Sequence, residues 1–450
     1  MTWSLLVVTL VLLHTADVAA GAYPPGPNRF LGSCLDSTCV KSMETDLSVS
    51  SQERDSSGRL VMQIALTHPR YQVEDPQTAA GAPYTDECMI NGQLFYGANQ
   101  PSDGSSRGEV NGTLILDMGD WDTSVLASMV AAVIAEEVVG YKVALNYSSP
   151  PGEDTMRMSS ARRGICTPTH FNVEVWTSSS LSRLRVYFNE SYLVGRTGYY
   201  GRTGLYTTHD FVLEGANSTP PYFPGFWMHY TLISKLDVAA FKSNPKYYPP
   251  AETLCPNGTM GCENNCEKSE ACTNRENAGK DCLVIAMMKP EWDKSFFQAV
   301  VSNIGIPAYF CFIGYDGVNK YASDAADSKT PVMFIHWEPD MFHVTHKGLF
   351  DRVFLPRTDP ARVKLATGDY GENGYGKKTN NPLDVDYPTV EVAKYAASIV
   401  KHLPIGTLFS KLTLSNPDIN DLLSKYSVAR NDNTEPAPYF RAACNWVKTN

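Results

Sequence analysis

Apolar and polar positions change period along this chain, and the changes mark out elements. From Thr113 to Met118 a short apolar run reads as a strand. Val125, Leu126, Met129, Val130, Val133 and Ile134 follow at spacings of one, three and four, one face of a helix that Asp122 or Thr123 can cap. Gly140 is a natural helix stop, and Tyr141 to Leu145 alternates as a second strand. Together they form a β-α-β unit, the building block of a parallel sheet. A second unit begins with a strand from Leu283 to Met288. A helix capped by Asp293 carries Phe296, Phe297, Val300, Val301 and Ile304, and Gly305 leads into an apolar strand from Ile306 to Ile313. Val332 to Ile335 is a further strand, and helices are predicted over about Val390 to His402 and Ile419 to Lys425. Strands alternating with helices predict an α/β fold, and the span is long enough to expect two lobes. Glu136 and Glu137 fall on a predicted exposed helix edge, where charge is solvated.

Upstream the periodicity is lost. Residues 21 to 107 are rich in Ser, Gly, Pro and Asp, and carry Cys34, Cys39 and Cys88. Only Leu60 to Leu66 reads as a strand there, so a loop-rich, disulfide-tied N-terminal extension is expected. Before it, an apolar run from Leu5 to Leu13 ends in Val18-Ala19-Ala20, the pattern of a secretory signal peptide cleaved after Ala20. The expected organisation is 1–20 signal peptide, 21–107 extension and 108–450 two-lobed domain. One internal repeat stands out: Gly195-Arg196-Thr197-Gly198-Tyr199-Tyr200 runs straight into Gly201-Arg202-Thr203-Gly204-Leu205-Tyr206. It reads equally as a Tyr-lined ligand loop or as a glycine-bearing surface turn.

Composition narrows the partners. The chain has 450 residues, 43% of them hydrophobic and 19% charged, with a formal net charge of −10. That acidic balance, without a basic block, argues against nucleic acid and against an anionic membrane surface as partners. The longest internal apolar stretch, Val125 to Val139, is broken by Glu136 and Glu137, so no direct membrane insertion is expected. Five sequons, at Asn111, Asn146, Asn189, Asn217 and Asn257, and eleven cysteines agree with a secreted, extracellular glycoprotein. The odd cysteine count leaves one thiol unpaired or pairing between chains. Five cysteines crowd residues 255–282 (Cys255, Cys262, Cys266, Cys272, Cys282). With no CxxC pair and no His in that segment, a disulfide-stapled surface insertion is favoured over a metal site.

Trp121, Trp176 and Trp337 each follow a predicted strand. Ligands of open α/β sheets bind beyond the carboxyl ends of strands, so three indoles at that edge can converge on one cleft. An indole face attracts a cation within about 6 Å, and a quaternary ammonium suits it best because its charge is diffuse. Backbone N–H groups near Thr123 and Ser124, at the start of the helix, could hold a ligand carboxylate. Core packing of each tryptophan is the alternative.

The residues Gly119-Asp120-Trp121-Asp122-Thr123-Ser124, leading to Gly140-Tyr141, resemble the first strand-to-helix segment of the glycine-betaine-binding proteins of ABC importers. Phe171 to Trp176 is similar to their acidic strand ending in Trp, and Phe226 to Tyr230 and His336-Trp337-Glu338-Pro339-Asp340 are similar to later motifs. The resemblance covers about three-quarters of the chain. It implies a two-lobed type II periplasmic-binding-protein fold and an aromatic cage for a trimethylammonium group. Trp121, Trp176 and Trp337 carry over as cage residues, with Tyr206 as a fourth. A membrane transporter or receptor is the implied partner. Asp340 departs from the family, which often has His there.

Other chemistry is sought without success. Gly371 to Lys378 nearly matches a phosphate-binding loop but ends in Lys378 and lacks a preceding strand. His336, His343 and His346 lie close in sequence, yet His-Glu-x-x-His is absent, so no metal is assigned. No Gly-x-Ser-x-Gly elbow is present, and no catalytic residue or cofactor is assigned. The leading expectation is a secreted, non-enzymatic solute-binding protein for glycine betaine, choline or proline betaine. A secreted hydrolase of extracellular polymer and a ligand-free structural or receptor-like glycoprotein are the alternatives.

Overall fold

Both β-α-β units expected from the periodicity are present. The structure, a computed structural model, describes residues 34–35, 96–97, 113–119, 121–139, 141–147, 169–177, 191–232, 266–288, 292, 296–365, 383–397, 400–401 and 404–450. Through the first half run β1 (Tyr96–Gly97), β2 (Thr113–Met118), α1 (Asp122–Val133), β3 (Lys142–Tyr147), β4 (Phe171–Val175) and β5 (Ser191–Thr208). Next come α2 (His209–Asn217), α3 (Trp227–Leu232), β6 (Cys266–Lys268), α4 (Glu270–Asn277), β7 (Leu283–Met287), α5 (Phe296–Asn303), β8 (Ala308–Phe312) and α6 (Gly314–Ser328). The chain continues with β9 (Met333–Glu338), α7 (Met341–Thr345), β10 (Phe350–Val353), α8 (Pro360–Leu365), β11 (Val390–Ala397), α9 (Pro404–Lys411), α10 (Asn416–Arg430) and α11 (Pro438–Thr449). The fold is α/β.

The strands join in the order β1-β3-β2-β4-β11-β5-β9-β7-β8-β6, with β10 paired to β5 off that path. Parallel pairs sit on either side of the middle: β2 with β3 and β4, and β7 with β8 and β9. The middle is antiparallel and is made by one long strand. Residues 191–201 of β5 pair with β11, and residues 202–207 pair with β9. So β5 leaves one half of the molecule and enters the other at Gly201-Arg202, which is the two-lobed arrangement expected. Each half has its own core. Leu116, Leu126, Met129, Phe171, Phe409 and Leu423 belong to the first, and Ile285, Phe297, Phe310, Met333 and Ile335 to the second.

α1 is buried on every side from Thr123 to Val133, not on one face alone. Its small residues Ala127, Ser128, Ala131 and Ala132 let the sheet approach from one side and α10 and α11 from the other. The helix does not end at Val133. A π-helical stretch, Ile134–Val139, carries it on. Here Glu136 and Glu137 are buried, contrary to the exposed edge expected. Glu136 accepts a hydrogen bond from the Val143 N–H at 2.8 Å. Glu137 accepts from the N–H groups of Cys34 and Leu35 at 3.0 and 2.5 Å. Their carboxylates are buried because backbone donors meet them there, which sequence spacing does not reveal.

Three more expectations are corrected. Val390–Ala397 is a strand, not a helix. It lies between β4 and β5, paired on both edges, and a short apolar run fits either period. The tandem Gly-Arg-Thr-Gly repeat is neither loop nor surface turn but the middle of β5. The N-cap position of α1 is Trp121, with no side-chain cap bond, because Thr123 and Asp122 turn to other partners described below. In the described part of the Cys-rich segment, β6 is an edge strand paired with β8, tied by Cys266–Cys311, while Cys272–Cys282 closes α4 onto the sheet. A third disulfide, Cys34–Cys444, fastens the residues before the domain to α11. Leu60 to Leu66, Gly140, Asp293, Gly371 to Lys378, the segment 1–20 and the other five cysteines lie outside the described residues, as do Asn111, Asn189 and Asn257. Asn146 sits within β3, opposite Asp117, and Asn217 is exposed at the end of α2.

Candidate functional site: an aromatic and acidic cluster where the halves meet

Aromatic residues stand at or shortly after the carboxyl ends of five parallel strands, β2, β4, β7, β8 and β9. In the first half the organiser is Glu174, the fourth residue of β4 and 1% exposed. Its Oε1 accepts from the indole N–H of Trp121 at 2.6 Å, the indole N–H of Trp176 at 2.9 Å and the Thr123 hydroxyl at 2.9 Å. One carboxylate oxygen thus fixes two of the three predicted indoles. Each ring also lies on a glycine: a Cβ at Gly119 would stand 2.0 Å from Trp121, and one at Gly201 would stand 2.2 Å from Trp176. The fully buried Tyr199 hydroxyl stands beside the same carboxylate. Burial pushes Glu174 above the usual carboxylate range, opposed by the bonds from Tyr199, Trp121, Trp176 and Thr123. Its second oxygen, Oε2, is buried and takes none of the three bonds that hold Oε1.

The second half presents its own cluster. Trp337, at the end of β9, stacks on Tyr315 with ring centroids 5.4 Å apart and meets the edge of Trp292 at 5.3 Å. The Tyr315 hydroxyl reaches both Asp340 oxygens, at 3.1 and 3.2 Å. Asp340 caps α7 by accepting from the Phe342 N–H at 2.8 Å. Burial lifts its carboxyl to about 8, with the negative charges of Asp122 and Glu174 adding to the rise. Those two charges belong to the other half, so the clusters face each other closely enough to interact. Asp122 itself is raised by burial, against the Tyr439 hydroxyl bond at 2.5 Å and the charge of Arg430. A direct bridge also crosses: Met341 of α7 packs in the first half's core.

Of the predicted residues, Trp121, Trp176 and Thr123 converge on Glu174, and Trp337 is brought to the facing cluster. Ser124 is buried, and its hydroxyl oxygen accepts from the Gly119 N–H at 2.9 Å, so it shapes the turn. Tyr206 does not join the indoles among the described ring contacts. It is buried against Phe334 and His343, with its hydroxyl on Glu338 at 2.9 Å. Three contributors were missed as ligand residues: Trp292, Tyr315 and Glu174. The first two follow β7 and β8, the same strand-end context that selects the other tryptophans. The histidines form no metal cluster with one another. His336 bonds Asn319 and Trp337, and His346 bonds Ser323 and the Phe342 carbonyl. Among the described residues the metal-spaced group is Cys272, Glu276 and Cys282, whose two thiols form a disulfide. No helix among them is long and apolar enough to cross a membrane.

Two α/β halves thus meet with strand-end aromatics and buried carboxylates at their boundary. No family model and no curated protein matches the chain. Among solved structures, it is similar to a glycine betaine/L-proline-binding protein of an ABC transporter from Borrelia burgdorferi, at 10% identity and a TM-score of 0.44. That match covers 75% of this chain and 93% of the other. Lactococcal OpuAC with glycine betaine gives 10% identity and 0.43, over 75% and 95%. An ABC-transporter choline-binding protein with choline gives 13% and 0.44, over 75% and 88%.

Proposed function

We propose that this protein is a secreted, non-enzymatic solute-binding protein that captures a quaternary amine, of the class of glycine betaine, choline and proline betaine. The cleft between its halves is the binding site. The observation that carries the reading is the sharing of Glu174 Oε1 by the indoles of Trp121 and Trp176, opposite the Trp337–Tyr315–Trp292 cluster. Indoles held by their N–H edges are fixed in orientation, and their faces attract a diffuse cation by about 2 kcal/mol when desolvated. The buried carboxylates add an electrostatic reason for a cation to enter. A transporter or receptor at a membrane would take the loaded protein, and glycans at the sequons would lie on its surface. The hydrolase alternative is weaker because Glu174 and Asp340, each 1% exposed, stand out of reach of a polymer.

Isothermal titration of the full chain with choline, glycine betaine and proline betaine tests this. Saturable one-to-one binding to at least one of them is expected. Trp121→Ala, Trp176→Ala or Trp337→Ala should each weaken it by roughly 1–2 kcal/mol, five- to thirtyfold. Folded protein that binds none of the three would refute the reading.

A further inference from the structure

We propose that the cleft selects a net cation over a zwitterion: a quaternary amine whose far end is a neutral hydroxyl or alkyl group, rather than a carboxylate. This inference rests on the solute-binding reading and narrows its ligand.

Three features of the site carry it. First, carboxylates come from both halves, with Glu174 and Asp122 on one side and Asp340 on the other. Among the described residues no Lys or Arg is paired with Glu174 or Asp340; the described cation that acts on Asp122 is Arg430, exposed at the end of α10. A ligand carboxylate would meet carboxyls that are already reluctant to ionise beside one another, and its own desolvation would go uncompensated, whereas a cation relieves that repulsion. Second, several of the donors that could receive such a group are already engaged by the protein's own acids. The indole N–H groups of Trp121 and Trp176 and the Thr123 hydroxyl serve Glu174, and the Tyr315 hydroxyl and Phe342 N–H serve Asp340. At the start of α1, where a betaine carboxylate was expected to sit, the first turn already contains Asp122. Third, Glu174 Oε2 is buried beside two indoles and takes none of the three hydrogen bonds that hold Oε1. A methylated cation presents weakly polar C–H groups to such an oxygen, and a hydroxyl can donate to it outright. The aromatic faces accept the methyl groups in either ligand; only the acids distinguish them.

Titration of the full chain with three probes of similar shape decides the matter: choline, glycine betaine and the uncharged choline isostere 3,3-dimethyl-1-butanol. Choline should bind at least tenfold more tightly than either of the others. Asp340→Asn, nearly isosteric, should shrink the choline-to-betaine ratio at least threefold. Betaine binding as tightly as choline would overturn this inference and leave the solute-binding reading standing. Isostere binding equal to choline would do the same, by showing that charge is not read. If none of the probes binds to folded protein, the broader reading fails and this one with it. Should the Asp340 variant misfold, the three-probe ranking on unmodified protein still decides.

Discussion

Gly201→Ala tests the architecture of the site without any ligand. Gly201 lies where β5 passes from one half to the other, and the Trp176 ring covers it. A methyl there would stand 2.2 Å from Cη2 and Cζ3 of the indole and 2.8 Å from Cζ2. Carbon atoms rest about 3.5–4.0 Å apart, so the rigid ring must retreat by about 1.5 Å. The Nε1 bond to Glu174, now 2.9 Å, cannot survive a move of that size. Gly201 is not among the glycines with positive φ, so the alanine backbone itself is unstrained and the effect is steric. Overpacking costs about 1–3 kcal/mol, and a hydrogen bond to a charged group is worth about 1.5–3 kcal/mol. Both losses follow from one displacement and do not add in full, so about 2–3 kcal/mol is expected.

Denaturant unfolding of four proteins measures this: wild type, Gly201→Ala, Trp176→Ala and the double variant. In the Trp176→Ala background the added methyl meets no ring, and its cost should fall to within about 0.5 kcal/mol of zero. The coupling between the two sites should therefore exceed about 1.5 kcal/mol. Gly225→Ala, with nothing within 4 Å of the added methyl, is the control and should be near neutral. An equal cost for Gly201→Ala in both backgrounds would refute the seating of Trp176 on β5, and with it the shared carboxylate.

Three further outcomes are expected. Asp340 holds its proton up to about 8 in the folded state against an ordinary 3.8, and is faced by Asp122, Glu174, Tyr315 and His336. Between those values the folded state keeps a proton the unfolded state has released, so stability should fall as pH rises from about 4 to 8, by at most about 1.4 kcal/mol per unit. Asp340→Asn should flatten that slope, and an unchanged pH profile would contradict the burial of the carboxyl. Glu137→Ala should destabilise by about 3 kcal/mol because two buried backbone donors lose their acceptor, whereas an exposed glutamate would cost under about 0.5 kcal/mol in the same denaturant titration. Met341→Ala should cost about 2–3 kcal/mol and increase hydrogen exchange in α7, since Met341 packs into the opposite half; unchanged protection of α7 would refute that contact.

How far the sequence discloses this molecule depends on whether a feature is local. β2, α1 and β3, and the β7-to-β8 unit, follow from apolar spacing within each segment. Trp121, Trp176 and Trp337 follow from their place after strands, and Trp292 and Tyr315 satisfy the same rule. What spacing cannot supply is the partner. Val390–Ala397 matches a helical pattern until β4 and β5 claim both its edges. Glu136 and Glu137 read as solvated until Val143, Cys34 and Leu35 bring donors to them. Glu174 reads as a polar residue in a strand, and only the fold reveals that residues 121, 123, 176 and 199 all meet it. Tyr206 and Tyr200 occupy equivalent places in the repeat, yet one is buried and the other exposed, because β5 changes neighbours between the two copies.

That change of neighbours ties the site's electrostatics to the relation between the halves. β5 carries Tyr199 to Glu174 in the first half and Tyr206 to Glu338 in the second, so one continuous strand reaches a carboxylate in each half. With α7 docked across the boundary, Asp340 is held near Asp122 and Glu174, and burial together with those like charges raises its affinity for a proton. Separation of the halves would weaken that repulsion and rehydrate the acids. On the proposed reading a cation in the cleft would stabilise the same acids in their charged form while leaving the halves together. Closure and cation binding would then favour each other through one set of charges, and a ligand that brought its own carboxylate would cancel part of the gain. The coupling would show as proton release when choline binds between pH 6 and 8, in proportion to the charge the acids regain.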